Sequence, residues 1–461
     1  MRKYQLALLS VIQGRQHDYT TGSITQAVFL LAIPMVLEMS MQSVFAVVDV
    51  FFVGRLGPDA VAMLGTTDAL LAVVFSVALG LSMGTTALIA RRIGEGREAE
   101  AGQTAVQAVY LGSAIAIVMG ITGATMARPL LELMGAGTIA AKEGTLFTAI
   151  MLGGNITIML LFLINAIFRG AGDAVVAMRA LWLANLINII LDPLLIFGVG
   201  PFPEMGLVGA AVATTIGRAV GVIYQLDRLL RGTNRIQIHR SMFAINFAVM
   251  HRLLRISGNA VLQFMVGTAS WVGILRIVST FGATSVAGYT IAVRLITFAM
   301  LPAWGMGNAA ATLVGQNLGA GHPHRAERAV WITALCNMAF MGAIGLAFIF
   351  FSRELVSLFS GESDSGLIAS ECLRTLGLTY PLLGVGLVMI QAFNGAGDTR
   401  TPTYINLICY WVLQIPLAYF LGVTMGLETR GVFVAIALSQ AMIALFGTIV
   451  FRRGNWKHTL V

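Results

Sequence analysis

Charge is scarce in this chain of 461 residues: 11% are Asp, Glu, Lys or Arg, while 57% are hydrophobic. Soluble globular domains carry about 25% charged residues, so a water-soluble enzyme is excluded. Cysteine is nearly absent, and Cys336, Cys372 and Cys409 show neither CxxC nor metal-ligand spacing, so neither a zinc site nor a disulfide framework is indicated. No lysine follows a glycine and no HExxH occurs, so the nucleotide cradle of an ATPase and a zinc-hydrolase centre both lack their parts. Gly80-Leu-Ser82-Met-Gly84 matches the GxSxG pattern, yet it lies inside an apolar run, and His17, His239, His251, His322, His324 and His458 all fall in loops or at run ends. Small residues four apart on a spanning helix read instead as close packing. No enzyme class is indicated. The net charge of +8 is read as basic cytoplasmic loops, with no nucleic acid as partner.

Long apolar runs are abundant. They predict an all-α polytopic membrane protein of twelve spans, near 28–53, 60–90, 103–126, 144–168, 176–199 and 206–227, then 249–280, 285–314, 328–352, 368–393, 402–423 and 431–451. Loops on one side carry Arg2, Lys3, Arg15, Arg91, Arg92, Arg97, Arg169, Arg179, Arg228, Arg231, Arg235, Arg240, Arg252, Arg255, Arg325, Arg328, Arg400, Arg452, Arg453 and Lys457. The other side has Arg55, Arg128, Lys142, Arg353, Arg374 and Arg430, so both termini are expected to be cytoplasmic. Arg218, Arg276 and Arg294 remain inside spans.

Sliding the sequence on itself by 225 residues aligns its halves: Gly57, Gly80, Gly94 and Gly96 meet Gly282, Gly305, Gly319 and Gly321. Phe168-Arg-Gly-Ala-Gly-Asp173 likewise meets Phe393-Asn-Gly-Ala-Gly-Asp398, and the Gly-Ala-Gly loops read as helix-capping turns rather than phosphate cradles. Six spans per copy make the two pseudo-symmetric lobes parallel repeats. The expected organisation is an N-terminal segment 1–27, a six-helix lobe 28–230, a basic linker 231–248, a second lobe 249–452 and a tail 453–461.

Ionised carboxylates inside spans cost about 2.5–3.5 kcal/mol each on insertion scales and call for partners or a water-filled cavity. Glu38, Asp49, Asp68 and Asp192 are the candidates. Glu38, Gln42 and Asp49 share one face of the first span, and Asn188 and Asp192 form an i, i+4 pair in the fifth. Thr214 follows Ala210 by four residues in the sixth. Interhelical glue is the competing reading. At the repeat offset, however, Asp49, Asn188 and Asp192 become Ile274, Leu413 and Leu417, while Thr214 becomes Ser439. The second lobe does without the acidic cluster, so function explains it better than packing.

Pro34 with Gln42 and Asp49, the run Asn188-Ile-Ile-Leu-Asp192-Pro193, Gly206-Leu-Val-Gly-Ala-Ala-Val-Ala-Thr214, and Leu313-Val-Gly-Gln-Asn-Leu-Gly-Ala-Gly321 together resemble the multidrug and toxic compound extrusion (MATE) transporters over nearly the whole chain. The likeness is to the bacterial and archaeal branch. It implies that Asp49, Asn188, Asp192, the Ala210 carbonyl and Thr214 bind the coupling cation, Na⁺ or H⁺, with no other cofactor. Other members carry essential carboxylates in the seventh, eighth and tenth spans, and this sequence has none there within the membrane, which argues against a cation site in the second lobe.

The expected function is a secondary antiporter of the cell inner membrane that exports amphipathic organic cations as a monomer in the lipid bilayer. Pro34, Glu38, Gln42 and Asn165 are assigned to the substrate cavity or a switch in the first span, where Pro34 removes a backbone hydrogen bond and builds in a bend. Met35, Met39 and Met41 would offer an adaptable lining. The alternatives are a flippase for lipid-linked saccharides, for whose anionic cargo only Arg276 and Arg294 are available, and a membrane-embedded enzyme.

Asp68 and Arg294 each lie about 12–14 Å below the outer ends of equivalent spans. They are assigned to an interlobe gate that pairs when the outer mouth closes; the competing reading has each lining the cavity separately. Asp68→Arg and Arg294→Asp should each impair transport and recover it together. A double variant as inactive as the singles, with no cross-link between cysteines at the two positions, overturns the gate.

Overall fold

A computed structural model describes residues 17–135, 138–232, 235–360 and 363–459. Arg2, Lys3 and Arg15 of the orientation argument lie outside the described residues. Among those described, the regular structure is helical, without strands. The elements are α1 (Ile24–Gly54), α2 (Pro58–Gly94), α3 (Glu98–Thr125), α4 (Ala127–Leu133), α5 (Thr138–Gly153), α6 (Asn155–Ala171), α7 (Ala174–Ile196) and α8 (Gly206–Leu230). Then follow α9 (Phe247–Ser279), α10 (Ala283–Gly319), α11 (Pro323–Phe350), α12 (Ser352–Ser360), α13 (Asp364–Gly377), α14 (Tyr380–Ala396), α15 (Arg400–Thr424) and α16 (Glu428–Arg453). Among the described residues, eleven helical stretches are long and apolar enough to cross a membrane, α5 and α6 together giving one of them (Gly144–Ala171), or twelve when α13 and α14, bent by 63°, count as one span.

The repeat is visible in the backbone. The limits of α2, α3 and α6 recur 225 residues later in α10, α11 and α14. Gly172 ends α6 and Gly397 ends α14 in the left-handed conformation, at φ 89° and 83°. In each, the next two amides fold back onto the last turn, Gly172 to Arg169 and Asp173 to Phe168, Gly397 to Asn394 and Asp398 to Phe393. That is a Schellman closure, which a β-carbon would strain.

Two departures from uniform α-helix separate the second repeat from the first. The expected spans 144–168 and 368–393 break at equivalent points, after Gly153 and Gly377, but α5 and α6 run on as one apolar stretch (Gly144–Ala171), whereas α13 and α14 are bent by 63°, with Pro381 in the first turn of α14 lacking an N–H to give. The α15 span passes through π-helical turns at Leu407–Gln414 and Phe420–Thr424, on either side of Pro416, whereas α7 is α-helical throughout.

The chain divides into two compact units. Unit 1 is built on Leu37–Val261, and unit 2 on Tyr19–Val36 together with the chain from Leu262 onward. The divisions at 36/37 and 261/262 are one repeat apart and fall inside α1 and α9, so each unit holds the first part of a helix whose remainder belongs to the other.

Within unit 1, a β-carbon on Gly80 would stand 2.5 Å from the Val261 backbone nitrogen, so α2 lies directly against the first part of α9. Within unit 2, Gly305 on α10 would put a β-carbon 2.5 Å from the Met35 carbonyl oxygen, so α10 lies against the first part of α1 in the same way. Gly80 and Gly84 of the GxSxG pattern therefore serve close packing.

The linker is anchored within unit 1. Buried Gln107 on α3 donates to the carbonyls of Met242 and Ala244, at 3.3 and 2.9 Å, and accepts from the Asn246 amide at 3.0 Å. In unit 2, Arg325 donates to the carbonyls of Tyr19, Thr21 and Gly22.

Gly80→Val and Gly305→Val should each cost about 1–3 kcal/mol through overpacking, because backbone atoms cannot withdraw. Thermal unfolding in detergent checks this. The same substitution at Gly65, which has open space around it, should leave the melting profile unchanged.

Candidate functional site

Unit 1 brings α7 and α8 into backbone contact. A β-carbon on Gly217 would lie 2.5 Å from the Ala184 carbonyl oxygen and 3.1 Å from the Asn188 Cβ, and one on Gly209 2.5 Å from the Leu195 carbonyl oxygen. Two glycines eight residues apart thus line the side of α8 that faces α7, and the side chains between them can reach across. Asn188 does so: its Nδ2 donates to Asp192 Oδ1 at 3.2 Å and to Thr214 Oγ1 at 3.0 Å. Asp192 is fully enclosed, and Asn188, Ala210 and Thr214 are buried with it.

This cluster is incompletely bonded. Asn188 Oδ1 and Asp192 Oδ2 are buried without a hydrogen-bond partner. The Asp49 carboxylate on α1 is near enough for like-charge interaction with Asp192. Two acidic groups, an amide oxygen and a hydroxyl form a hard-oxygen set of the kind Na⁺ takes from a protein, and the carboxylates can equally carry a proton.

Arg218 completes the surroundings and was not anticipated as a site residue. It follows Thr214 by one turn on α8, half-buried, with its guanidinium carbon 5.9 Å from the Phe75 ring centroid, and it interacts electrostatically with both Asp49 and Asp68. The i, i+4 spacing from Thr214 was the signal available for it. Asp68 is exposed on α2 of unit 1, and Arg294 is exposed on α10 of unit 2.

A second polar cluster lies elsewhere in unit 1. Asn165 Nδ2 on α6 donates to Glu38 Oε1 at 3.0 Å, and Arg169 Nη1, one turn further on, approaches the same oxygen at 3.4 Å. Gln225 on α8 donates through Nε2 to Asn165 Oδ1. Glu38, Asn165, Arg169 and Gln225 are all buried. Gln42 is half-buried on α1, and Pro34 is buried in the part of α1 that belongs to unit 2. Helix α7 fastens the part of α1 in unit 1: Trp182 Nε1 donates to the Leu37 carbonyl at 3.1 Å and Asn185 Nδ2 to the Met41 carbonyl at 3.3 Å.

A duplicated bundle of apolar helices whose buried charged groups among the described residues, Glu38, Arg169 and Asp192, all lie in the first repeat defines the class as a polytopic membrane transporter. The MatE family model matches residues 34–194 and 259–420, one stretch in each repeat, and the chain belongs to this family of transmembrane transporters. It is 26% identical over 439 residues to a probable multidrug resistance protein NorM of Thermotoga maritima, covering 94% of this chain and 93% of that one. It is 25% identical to an FAD transporter of Shewanella oneidensis, covering 93% and 95%. Among solved structures, an outward-facing multidrug resistance MATE family transporter of the MOP superfamily superposes with a TM-score of 0.89 at 26% identity, covering 96% of this chain and all of that one. These relatives do not favour the saccharide-flippase alternative.

Proposed function

We propose that this protein is a secondary multidrug antiporter of the cell inner membrane, with both termini cytoplasmic. It exports amphipathic organic cations in exchange for Na⁺ or H⁺ held by Asp49, Asn188, Asp192, Thr214 and the Ala210 carbonyl. The observation that carries this reading is the pair of buried, unpartnered oxygens, Asn188 Oδ1 and Asp192 Oδ2, beside the Asp49 carboxylate. An enclosed carboxylate oxygen without a donor at membrane depth is costly, and a bound cation or proton removes that cost.

The cluster couples transport by differential binding. A cation can shift the protein between inward- and outward-open states only by as much as it binds one more tightly. The groups that would change with loading are the Asp49 and Asp192 carboxylates. Arg218 supplies a resident positive charge that Asp49 shares with Asp68. Loading Asp49 would weaken its attraction for the guanidinium and leave Asp68 as the remaining carboxylate neighbour. The confinement of these groups to unit 1 supports a single coupling site, since unit 2 carries Ile274, Leu413 and Leu417 in their places.

The test is purified protein in liposomes under an imposed Na⁺ or H⁺ gradient, with uptake of a fluorescent cationic dye as the readout. Asp49→Asn and Asp192→Asn should each reduce gradient-driven uptake to background while leaving the melting profile unchanged. Ile274→Val and Leu417→Ile should transport normally. Normal rates in both Asp variants would remove the cluster from the mechanism.

A further inference from the structure

Among the described residues, the buried carboxylate oxygens without a hydrogen-bond partner are Asp192 Oδ2 and Glu38 Oε2. The first belongs to the cation cluster. The second lies eleven residues before Asp49, about 16 Å along α1, with neighbours of its own. We propose that Glu38 is a second proton-exchange site of unit 1, taking the proton on Oε2, separate from the Asp49–Asp192 cluster. The inference rests on the antiport reading for its place in transport, but not for the binding of the proton.

A permanent ion pair with Arg169 is the obvious alternative, and the geometry argues against it. A buried pair repays its desolvation only when the contact is close and the remaining lone pairs are satisfied. Here a single nitrogen approaches Oε1 at 3.4 Å, Asn165 makes the shorter bond to that same oxygen, and Oε2 receives nothing. Protonation on Oε2 removes the charge and turns the orphan acceptor into a donor, while Oε1 keeps both bonds. Arg169 is not stranded when Glu38 is neutral, because it has a further partner of its own. Nearby, Gln225 Oε1 is another buried oxygen without a donor, so the surroundings hold more acceptors than donors.

The repeat separates a structural requirement from a chemical one. At the 225-residue offset Glu38 becomes Gln263 and Arg169 becomes Asn394, both buried in unit 2. Unit 2 therefore places amides where unit 1 places an acid and a base. Gln263 Oε1 also lacks a partner, but a neutral carbonyl oxygen in that position is far less costly than a carboxylate. A six-helix unit needs a polar group of this size at the site; it does not need one that titrates.

The groups facing Glu38 are Asn165 and Arg169 from α6 and, through Asn165, Gln225 from α8. From α7, Trp182 and Asn185 bond the neighbouring α1 carbonyls. Arg169 is the charged member of this set, so the proton on Glu38 is governed by the Arg169 contact and by enclosure, independently of Asp49.

Infrared difference spectra of the full-length protein between acid and alkaline pH read buried carboxylic acids directly. In the Asp49→Asn/Asp192→Asn double variant, one carboxylic-acid carbonyl band should persist and titrate. It should vanish when Glu38→Gln is added and shift with Glu38→Asp, which keeps the acid should the glutamine variant fold poorly. Superimposable spectra of the double variant with Glu38 and with Gln at that position would overturn the proposal. In liposomes, Glu38→Gln alone should still couple uptake to the gradient but lose about one proton per dye, measured by reversal potential; an unchanged stoichiometry would show that the proton plays no part in transport. If the unmodified protein shows no gradient-driven uptake, the antiport reading fails while the infrared result still decides Glu38.

Discussion

A polar atom at membrane depth has no water to bond, so every donor and acceptor must find its partner inside the protein. Most of this chain is arranged around that requirement. Hydroxyls on the spans turn back to the carbonyl one turn earlier, as Thr85 does to Leu81, Thr104 to Glu100 and Thr333 to Ala329. Buried amides donate to backbone carbonyls, Asn155 to that of Leu152 and Asn337 to that of Gly384. Several buried amide and hydroxyl oxygens still lack a partner, but among the described residues the carboxylate oxygens that do are those on Asp192 and Glu38. An unmet acceptor that is also titratable can be met by something that comes and goes, which is what a coupled transporter requires.

Close helix contact is the second consequence of the same setting. Lipid offers no hydrophobic drive for helices to associate, so packing relies on small residues that let backbones approach. Gly209 and Gly217 bring α8 onto α7 and thereby set the distance that Asn188 spans to Thr214. Gly80 and Gly305 do the same for the shared halves of α9 and α1. The site geometry and the packing pattern thus follow from the same placement of missing side chains.

Much of this was legible in the sequence because its causes are local. Apolar run length marked the spans to within a few residues, and the 225-residue offset marked the duplication that recurs in the helix limits. Asn188, Asp192 and Thr214 were legible because a carboxylate in a span is costly and i, i+4 spacing places groups together. Other features depend on tertiary context. The division of α1 at 36/37 leaves no mark on an apolar run, since both parts are equally hydrophobic. The break between α13 and α14 had a local cue in Gly377 and Pro381, but run length alone bridged it. Arg169 was counted with the loop cations because it precedes a Gly-Ala-Gly turn, yet it is 4% exposed and turned toward Glu38. Position along the chain does not say where a long, flexible side chain ends.

Helix α1 is where these strands meet. Its first part belongs to unit 2 and holds Pro34, its remainder belongs to unit 1, and the division falls one residue before Glu38. Below that division the helix is gripped by the close contact at Gly305; above it, side chains from α6 and α7 bond it at Leu37, Glu38 and Met41. Asp49 then sits some three turns further along. A charge change at Asp49 or Glu38 therefore acts on a helix held from Met35 to Met41, just after a proline whose missing hydrogen bond to the Leu30 carbonyl weakens the ladder. Its equivalent α9 carries Asn259, Gln263 and Ile274 in place of Pro34, Glu38 and Asp49, and so shares the division without the proline or the titratable groups. Duplication supplied two such helices, and of the two only α1 carries carboxylates.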